Sequence, residues 1–389
     1  MNMGIYADYL NSLKNFEQIT QERKKMLRKI SELRGNRDVL VFAADFSEPR
    51  APTSIDYTDI LPVQDQLSNL SGDSIDIILE TPGGIGEVVE DIVKQIRNKY
   101  DHVGMIVPGW SKSAGTIFAM AGDEILMGDT SGLGPIDAQI FANGKKFSAD
   151  AFLEGLDKIK KLVEETGKLN PAYIPILQQI SPGEIQHYQN AQDFSKKLVT
   201  EWLEKYKFKY WEKHSSGKAV TQEERHRRAD EIAEELCSQK RWLTHGRSIT
   251  HDDFEELRVK ITNYSKIPEL NDAITRYHIL LRMSFEQTPL YKIFETVDSQ
   301  IYRFVNPVNI TPVPTLEKID KINMNLECPQ CKEKSTLQVN LEKHSPIEEG
   351  KLPYPVSNNL FKCPKCNKEI DVSQGRVQIE AQTGKRVVE

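Results

Sequence analysis

The sequence predicts an α/β fold built on a mainly parallel sheet, and three observations predict it. Short apolar runs recur at VLVFAADF (39–46), IDIILE (75–80), VGMIVPG (103–109) and EILMG (124–128). Each is nearly continuous rather than alternating, as strands covered on both faces require. Between the second and third runs, EVVEDIVKQIRNKY sets Val88, Val89, Ile92, Val93 and Ile96 on one side, the pattern of a crossover helix. Where two of the runs end, the chain turns through small residues, Thr81-Pro82-Gly83-Gly84 and Ser111-Lys112-Ser113-Ala114-Gly115.

The elements follow in order. Before the first run, Leu10, Leu13, Phe16, Ile19, Met26, Leu27, Ile30 and Leu33 fall near a helical stripe, so residues 1–36 read as a helical arm. That helix either folds back on its own domain or makes subunit contacts. Residues 37–305 hold the core with a helical extension from about Asp150, including a capped start at Ser181-Pro182. Pro307, Pro312 and Pro314 mark a linker, and 316–389 form a Cys-rich module.

Composition narrows the function. In 389 residues, 39% hydrophobic and 28% charged, no apolar run nears the ~20 residues of a membrane helix. The N-terminus lacks the layout of a secretory signal, so the cytosol is the expected location and no membrane partner is expected. A net charge of −6 provides no electrostatic case for binding nucleic acid. Four of the five cysteines stand in two Cys-x-x-Cys pairs, which suits metal binding in a reducing compartment; Cys237 reads as a buried thiol.

Ser113 lies where a strand runs through a sharp turn into a helix of small residues. A nucleophile there is held out of the sheet, with helix-start N–H groups beside it. The Gly83-Gly84 turn ends a neighbouring strand, so its N–H groups and that of Ala114 can face one oxyanion. Each turn alone is common. Strand, Pro-Gly-Gly, helix, strand, turn with serine, helix, strand is the order of Clp-type peptidases and signal peptide peptidases. Over about 38–142 the chain resembles these, and through TPGG, SKSAGT and LGPIDAQ it looks closest to the serine dehydrogenase proteinase family. The resemblance implies a Clp/crotonase-type core, a protein or peptide substrate, an acyl-enzyme on Ser113 and a homo-oligomer. Ser111 is the competing hydroxyl and reads as ordering the turn.

A serine needs a base. His102 lies at the far end of its strand, about 20 Å away at ~3.3 Å per residue. His251 belongs to a Thr-x-x-Asp cap, and His187 to a helix surface. The resemblance implies Ser, Asp and His in chain order, which points to Asp137 in LGPIDAQ and His245 in RWLTHGR, with Asp137 fixing the imidazole. Asp137 serves equally to order a turn, and His245 to pack a loop. Signal peptide peptidases use a lysine instead, and Thr166-Gly167-Lys168 resembles the segment that carries it, so Lys168 is the alternative base.

Cys328, Cys331, Cys363 and Cys366 provide two knuckles for a tetrahedral Zn²⁺ with no open position, hence a structural zinc ribbon. The reading is a serine endopeptidase with an α/β Clp/crotonase-type core, helical additions and a small zinc-ribbon domain. Its rivals are an inactive scaffold or partner-binding subunit of the same fold, a crotonase-like enzyme stabilising a thioester enolate, and a nucleic-acid adaptor built on the ribbon.

Overall fold

The computed structural model describes residues 4–48, 51–137, 139–142, 145–305, 320–383 and 385–389. The chain divides into two compact units, Met1–Asn306 and Pro307–Glu389. Pro307, Pro312 and Pro314 lie outside the described residues.

In the first unit, α1 (Ile5–Ser12) and α2 (Phe16–Leu33) precede β1 (Asp38–Ala44) and α3 (Ile60–Ser68). There follow β2 (Ser74–Glu80), α4 (Gly86–Lys99), β3 (His102–Val107), the short β4 (Trp110–Ser111), α5 (Ala114–Met120), β5 (Glu124–Met127) and β6 (Gly132–Leu133). A hairpin of β7 (Gln139–Ala142) and β8 (Lys145–Ser148) leads into α6 (Ala149–Thr166), α7 (Ile174–Leu177), α8 (Pro182–Trp202), α9 (Gln222–Cys237), α10 (Gln239–Trp242) and α11 (His251–Glu256). The unit closes with β9 (Thr262–Asn263), α12 (Pro268–Gln287), β10 (Leu290–Glu295) and β11 (Gln300–Phe304).

The apolar runs become the centre of a seven-stranded sheet in the order β11-β10-β1-β2-β3-β5-β9. The pairs from β1 to β9 are parallel, and β10 and β11 add an antiparallel edge. Alternate residues serve two cores, which is why the runs read as unbroken apolar stretches. Leu40, Phe42, Ile75, Ile77, Leu79, Val103 and Met105 pack with the buried side of α4 and with α5. Val39, Val41, Ile78, Ile106 and Leu126 pack with α2 and α12. The N-terminal helix thus folds back on its own unit. Its fully buried Arg23 forms a bidentate ion pair with Glu295, at 2.7 and 3.1 Å, and donates to Ser284 and Tyr302. The parallel strands all point their C-terminal ends to one rim, where ligands of such sheets bind. No helix among the described residues is long and apolar enough to cross a membrane.

The second unit pairs the strand Lys321–Glu327 antiparallel with Lys334–Leu341. Leu337, Val339, Leu341, Tyr354, Phe361 and Val372 make its small core.

Candidate active site

Two turns meet at the sheet's C-terminal rim. After β3, Pro108 and Gly109 carry the chain into β4, which crosses to the turn after β2: Thr81 N–H donates to Trp110 O at 3.1 Å and Lys112 N–H to Thr81 O at 2.9 Å. Ser113 then adopts φ 52°, ψ −117° as the residue capping α5, and its carbonyl accepts from Thr116 N–H at 2.8 Å. Gly83, at φ 100°, lies against it: a β-carbon there would sit 2.8 Å from Ser113 Cβ and 2.6 Å from Lys112 O. On its other side, Ile55 brackets the Pro-Gly-Gly turn, with Ile55 N–H to Gly83 O at 2.7 Å and Ile85 N–H to Ile55 O at 3.0 Å. That close crossing requires glycine at 84, where a β-carbon would stand 2.3 Å from Ile55 O.

The donors at this junction differ. Gly83 N–H is engaged by Thr81 Oγ1 at 3.2 Å. The N–H groups of Gly84 and Ala114 have no hydrogen-bond acceptor among the described residues, Ala114 because it opens a helix. Ser111 is fully buried behind the turn, its hydroxyl without a partner among the described residues, and Gly115 packs directly over it. Ser113 is only half-buried, and its hydroxyl makes no hydrogen bond among the described residues.

The segment after β6 is tied to the same junction. Thr116 Oγ1 donates to Gly134 O at 2.7 Å and accepts from Gly134 N–H at 2.9 Å, while Leu133 and Ile249 form a bridge in both directions. Asp137 follows, buried, and Ile136 N–H bonds Leu236 O at 2.9 Å. His245 Nδ1 stands 3.6 Å from Asp137 Oδ2, with the Gln139 amide between them: Gln139 Nε2 donates to Asp137 Oδ2 at 2.8 Å and lies 3.2 Å from His245 Nδ1. Asp137 and His245 therefore come together in space from positions more than a hundred residues apart. No hydrogen bond joins either to Ser113 among the described residues.

Lys168 follows α6 with its side chain exposed, and its ammonium has no hydrogen bond or ion pair among the described residues. His102 stacks on Tyr210 at the opposite end of β3. His251 begins a helix whose Thr250 and Asp253 form a capping box. Three residues that sequence reasoning passed over also belong to this rim. Gln139 bridges the pair just described. Lys112 donates to three oxygens of the neighbouring segments, and burial pushes its ammonium down to about 8. His278 on α12 meets the buried Glu80 at 2.9 Å beside Gly109. The only sequence signal for Lys112 is its place inside SKSAGT, and for Gln139 its place at the end of LGPIDAQ; His278 has none.

In the second unit the sulfurs of Cys328, Cys331, Cys363 and Cys366 lie within 4.8 Å of one another. The two halves repeat one geometry. Cys328 N–H bonds Glu333 O and Lys332 N–H bonds Cys328 O; Cys363 N–H bonds Lys368 O and Asn367 N–H bonds Cys363 O. Lys332 and Asn367 share a left-handed backbone at φ 60° and 59°. Four soft thiol donors converging from two such knuckles fit a tetrahedral metal ion and leave no ligand position open.

Comparison with known proteins finds one family match, within the first unit. Residues 55–181 match the family model of ClpP-like SDH-type serine proteinases. Two uncharacterized proteins of Methanocaldococcus jannaschii are similar to the chain. MJ0137 is 38% identical over 66 residues, 17% of this chain and 23% of that protein. MJ1495 is 33% identical over 93 residues, 24% of this chain and 30% of that protein. The chain thus spans less than a third of the length of these relatives. A solved structure, a mutant of the 1510-N membrane-bound stomatin-specific protease, aligns over 56% of this chain and 79% of its own at 14% identity and a TM-score of 0.32.

Proposed function

We propose, from the match of residues 55–181 to the ClpP-like SDH-type serine proteinases, that the protein is a serine endopeptidase acting through an acyl-enzyme on Ser113. The observation that carries the reading is the contact of the two turns, with Gly83 against Ser113 Cβ and the backbone on either side of it, and two N–H groups at the same junction, of Gly84 and Ala114, uncommitted among the described residues. Attack of the Ser113 hydroxyl on a peptide carbonyl makes a tetrahedral intermediate whose oxyanion those donors receive. His245 takes the hydroxyl proton and returns it to the leaving amine; Asp137 holds the ring and stabilises the imidazolium. Water then hydrolyses the ester. Gln139 first yields its place between Asp137 and His245, closing the 3.6 Å gap, and residues 243–246 advance to Ser113 while Arg247 and Ser248 stay tied to the nucleophile turn. Catalytic hydrogen bonds commonly tighten in this way once substrate or a neighbouring subunit arrives, and a homo-oligomer acting on protein or peptide chains in the reducing cytosol fits this requirement. The ribbon cysteines would hold a structural zinc that folds the tail and takes no part in the reaction.

A second reading is favoured by one observation, the Ser113 hydroxyl having no base bonded to it among the described residues: the chain is an inactive scaffold of the same fold. A fluorophosphonate separates the two. The peptidase acylates at Ser113, and Ser113→Ala removes the label. His245→Ala and Asp137→Asn each slow acylation by about 10²–10⁴-fold, while Lys168→Ala leaves it unchanged. Absence of labelling in every oligomeric state selects the scaffold, and loss in Lys168→Ala alone moves the base to that lysine.

A further inference from the structure

Lys112 sits in the nucleophile turn, yet its side chain leaves it. Nζ donates to Ser248 Oγ at 2.8 Å and to the carbonyl oxygens of Arg247 and Leu133, each at 3.2 Å. All three acceptors are uncharged. A partly buried ammonium without an anion is costly, and burial pushes this one down to about 8. The fold nevertheless makes room for it. A β-carbon at Gly134 would stand 2.7 Å from Lys112 Cδ and 3.1 Å from its Cα, and one at Gly132 would stand 2.8 Å from Ser248 Oγ.

The three acceptors lie on the two segments that bear the proposed base and its orienter. Leu133 opens the run that ends at Asp137. Arg247 and Ser248 follow His245 by two and three residues in the sequence. Among the described residues, no other side-chain hydrogen bond links the nucleophile turn to the loop that carries His245. We propose that Lys112 is a positioning residue: its ammonium clamps the His245 loop to the nucleophile turn and so sets the reach between imidazole and Ser113. This deepens the peptidase reading and rests on it for the role of His245, whereas the clamp itself does not depend on activity.

Two measurements on the full chain test it. Amide hydrogen exchange across 243–249 reads the clamp: Lys112→Met speeds exchange there about tenfold, and Lys112→Arg stays near the parent. Ser248→Ala, which removes the shortest of the three bonds, produces a weaker form of the same signature and serves if Lys112→Met does not fold. Fluorophosphonate acylation reads the consequence. Lys112→Met acylates roughly 10- to 100-fold more slowly with partial rescue by Lys112→Arg, and in a His245→Ala background it adds less than about twofold. Unchanged exchange in the folded variants overturns the clamp whatever the activity. Losses that multiply in the double variant overturn the positioning role, because Lys112 then acts apart from His245. A parent protein that never acylates defeats the peptidase reading, and the exchange experiment still decides the clamp.

Discussion

The backbone of Ser113, at φ 52° and ψ −117°, is one that a residue with a β-carbon enters at a cost of about 1–3 kcal/mol. It is held there by its neighbours: Thr81 on both flanks of Ser111, the first turn of α5 behind, and Gly83 in front. Gly83→Ala tests that restraint. The new methyl meets Lys112 O and Ser113 Cβ inside contact distance at a φ of 100°, so either the Pro-Gly-Gly turn or the serine must shift. The expected outcome is a loss of roughly 1–3 kcal/mol in urea unfolding with acylation at Ser113 reduced more than tenfold. A variant with parent stability and rate would show that the two turns do not constrain each other. Ser113 and the two glycines were legible in the sequence because turns are local, fixed by a few adjacent residues. Gln139, Lys112 and His278 were not, since an amide, an ammonium or an imidazole acquires its role only from partners that the fold brings in.

At the scale of elements, the rim depends on a strut outside the family-matched turns. Lys292 on β10 is fully buried, and its Nζ contacts both Asp59 oxygens, at 2.9 and 2.8 Å, and Ser54 O at 2.7 Å. Asp59 in turn accepts from Asp56 N–H at 3.0 Å, so the ion pair fixes both sides of Ile55, the residue laid across Gly83 and Gly84. Lys292→Met leaves a buried carboxylate without its cation and is expected to cost about 3–5 kcal/mol. Pairing it with Asp59→Leu should recover most of that, because an apolar pair of similar size has no charge to strand; calorimetric unfolding of both variants checks this. Acylation should remain slow in the double variant, the crossing at Ile55 having lost its anchor. The strands themselves were readable, since a sheet with helices on both faces writes unbroken apolar runs into the chain. The placement of α2 was left between two readings. Arg23 and Lys24 look like a solvated helix face in sequence, and only Glu295, Ser284 and Tyr302 from distant elements make that face an interior one.

At the scale of the whole molecule, the two compact units have separate cores, and this sets how the protein should respond to metal removal. Leu337, Val339, Leu341, Tyr354 and Phe361 make a core too small to hold its unit without help. The four cysteines were the most legible group in the sequence, because ligand spacing is a local code that survives without knowledge of the rest of the fold. If they hold zinc, binding is linked directly to folding: free metal buffered at about 1,000 times its dissociation constant stabilises the unit by ~4 kcal/mol. Chelation is therefore expected to abolish a small, low-enthalpy transition in calorimetry. The larger transition of Met1–Asn306 should stay at the same temperature, and fluorophosphonate acylation of Ser113 should proceed at the parent rate. Cys363→Ser should reproduce the effect without chelator, since three thiolates no longer close the tetrahedron. A fall in acylation on chelation, with the large transition unmoved, would instead give the ribbon a part in the reaction, and the structural assignment of the metal would have to be abandoned.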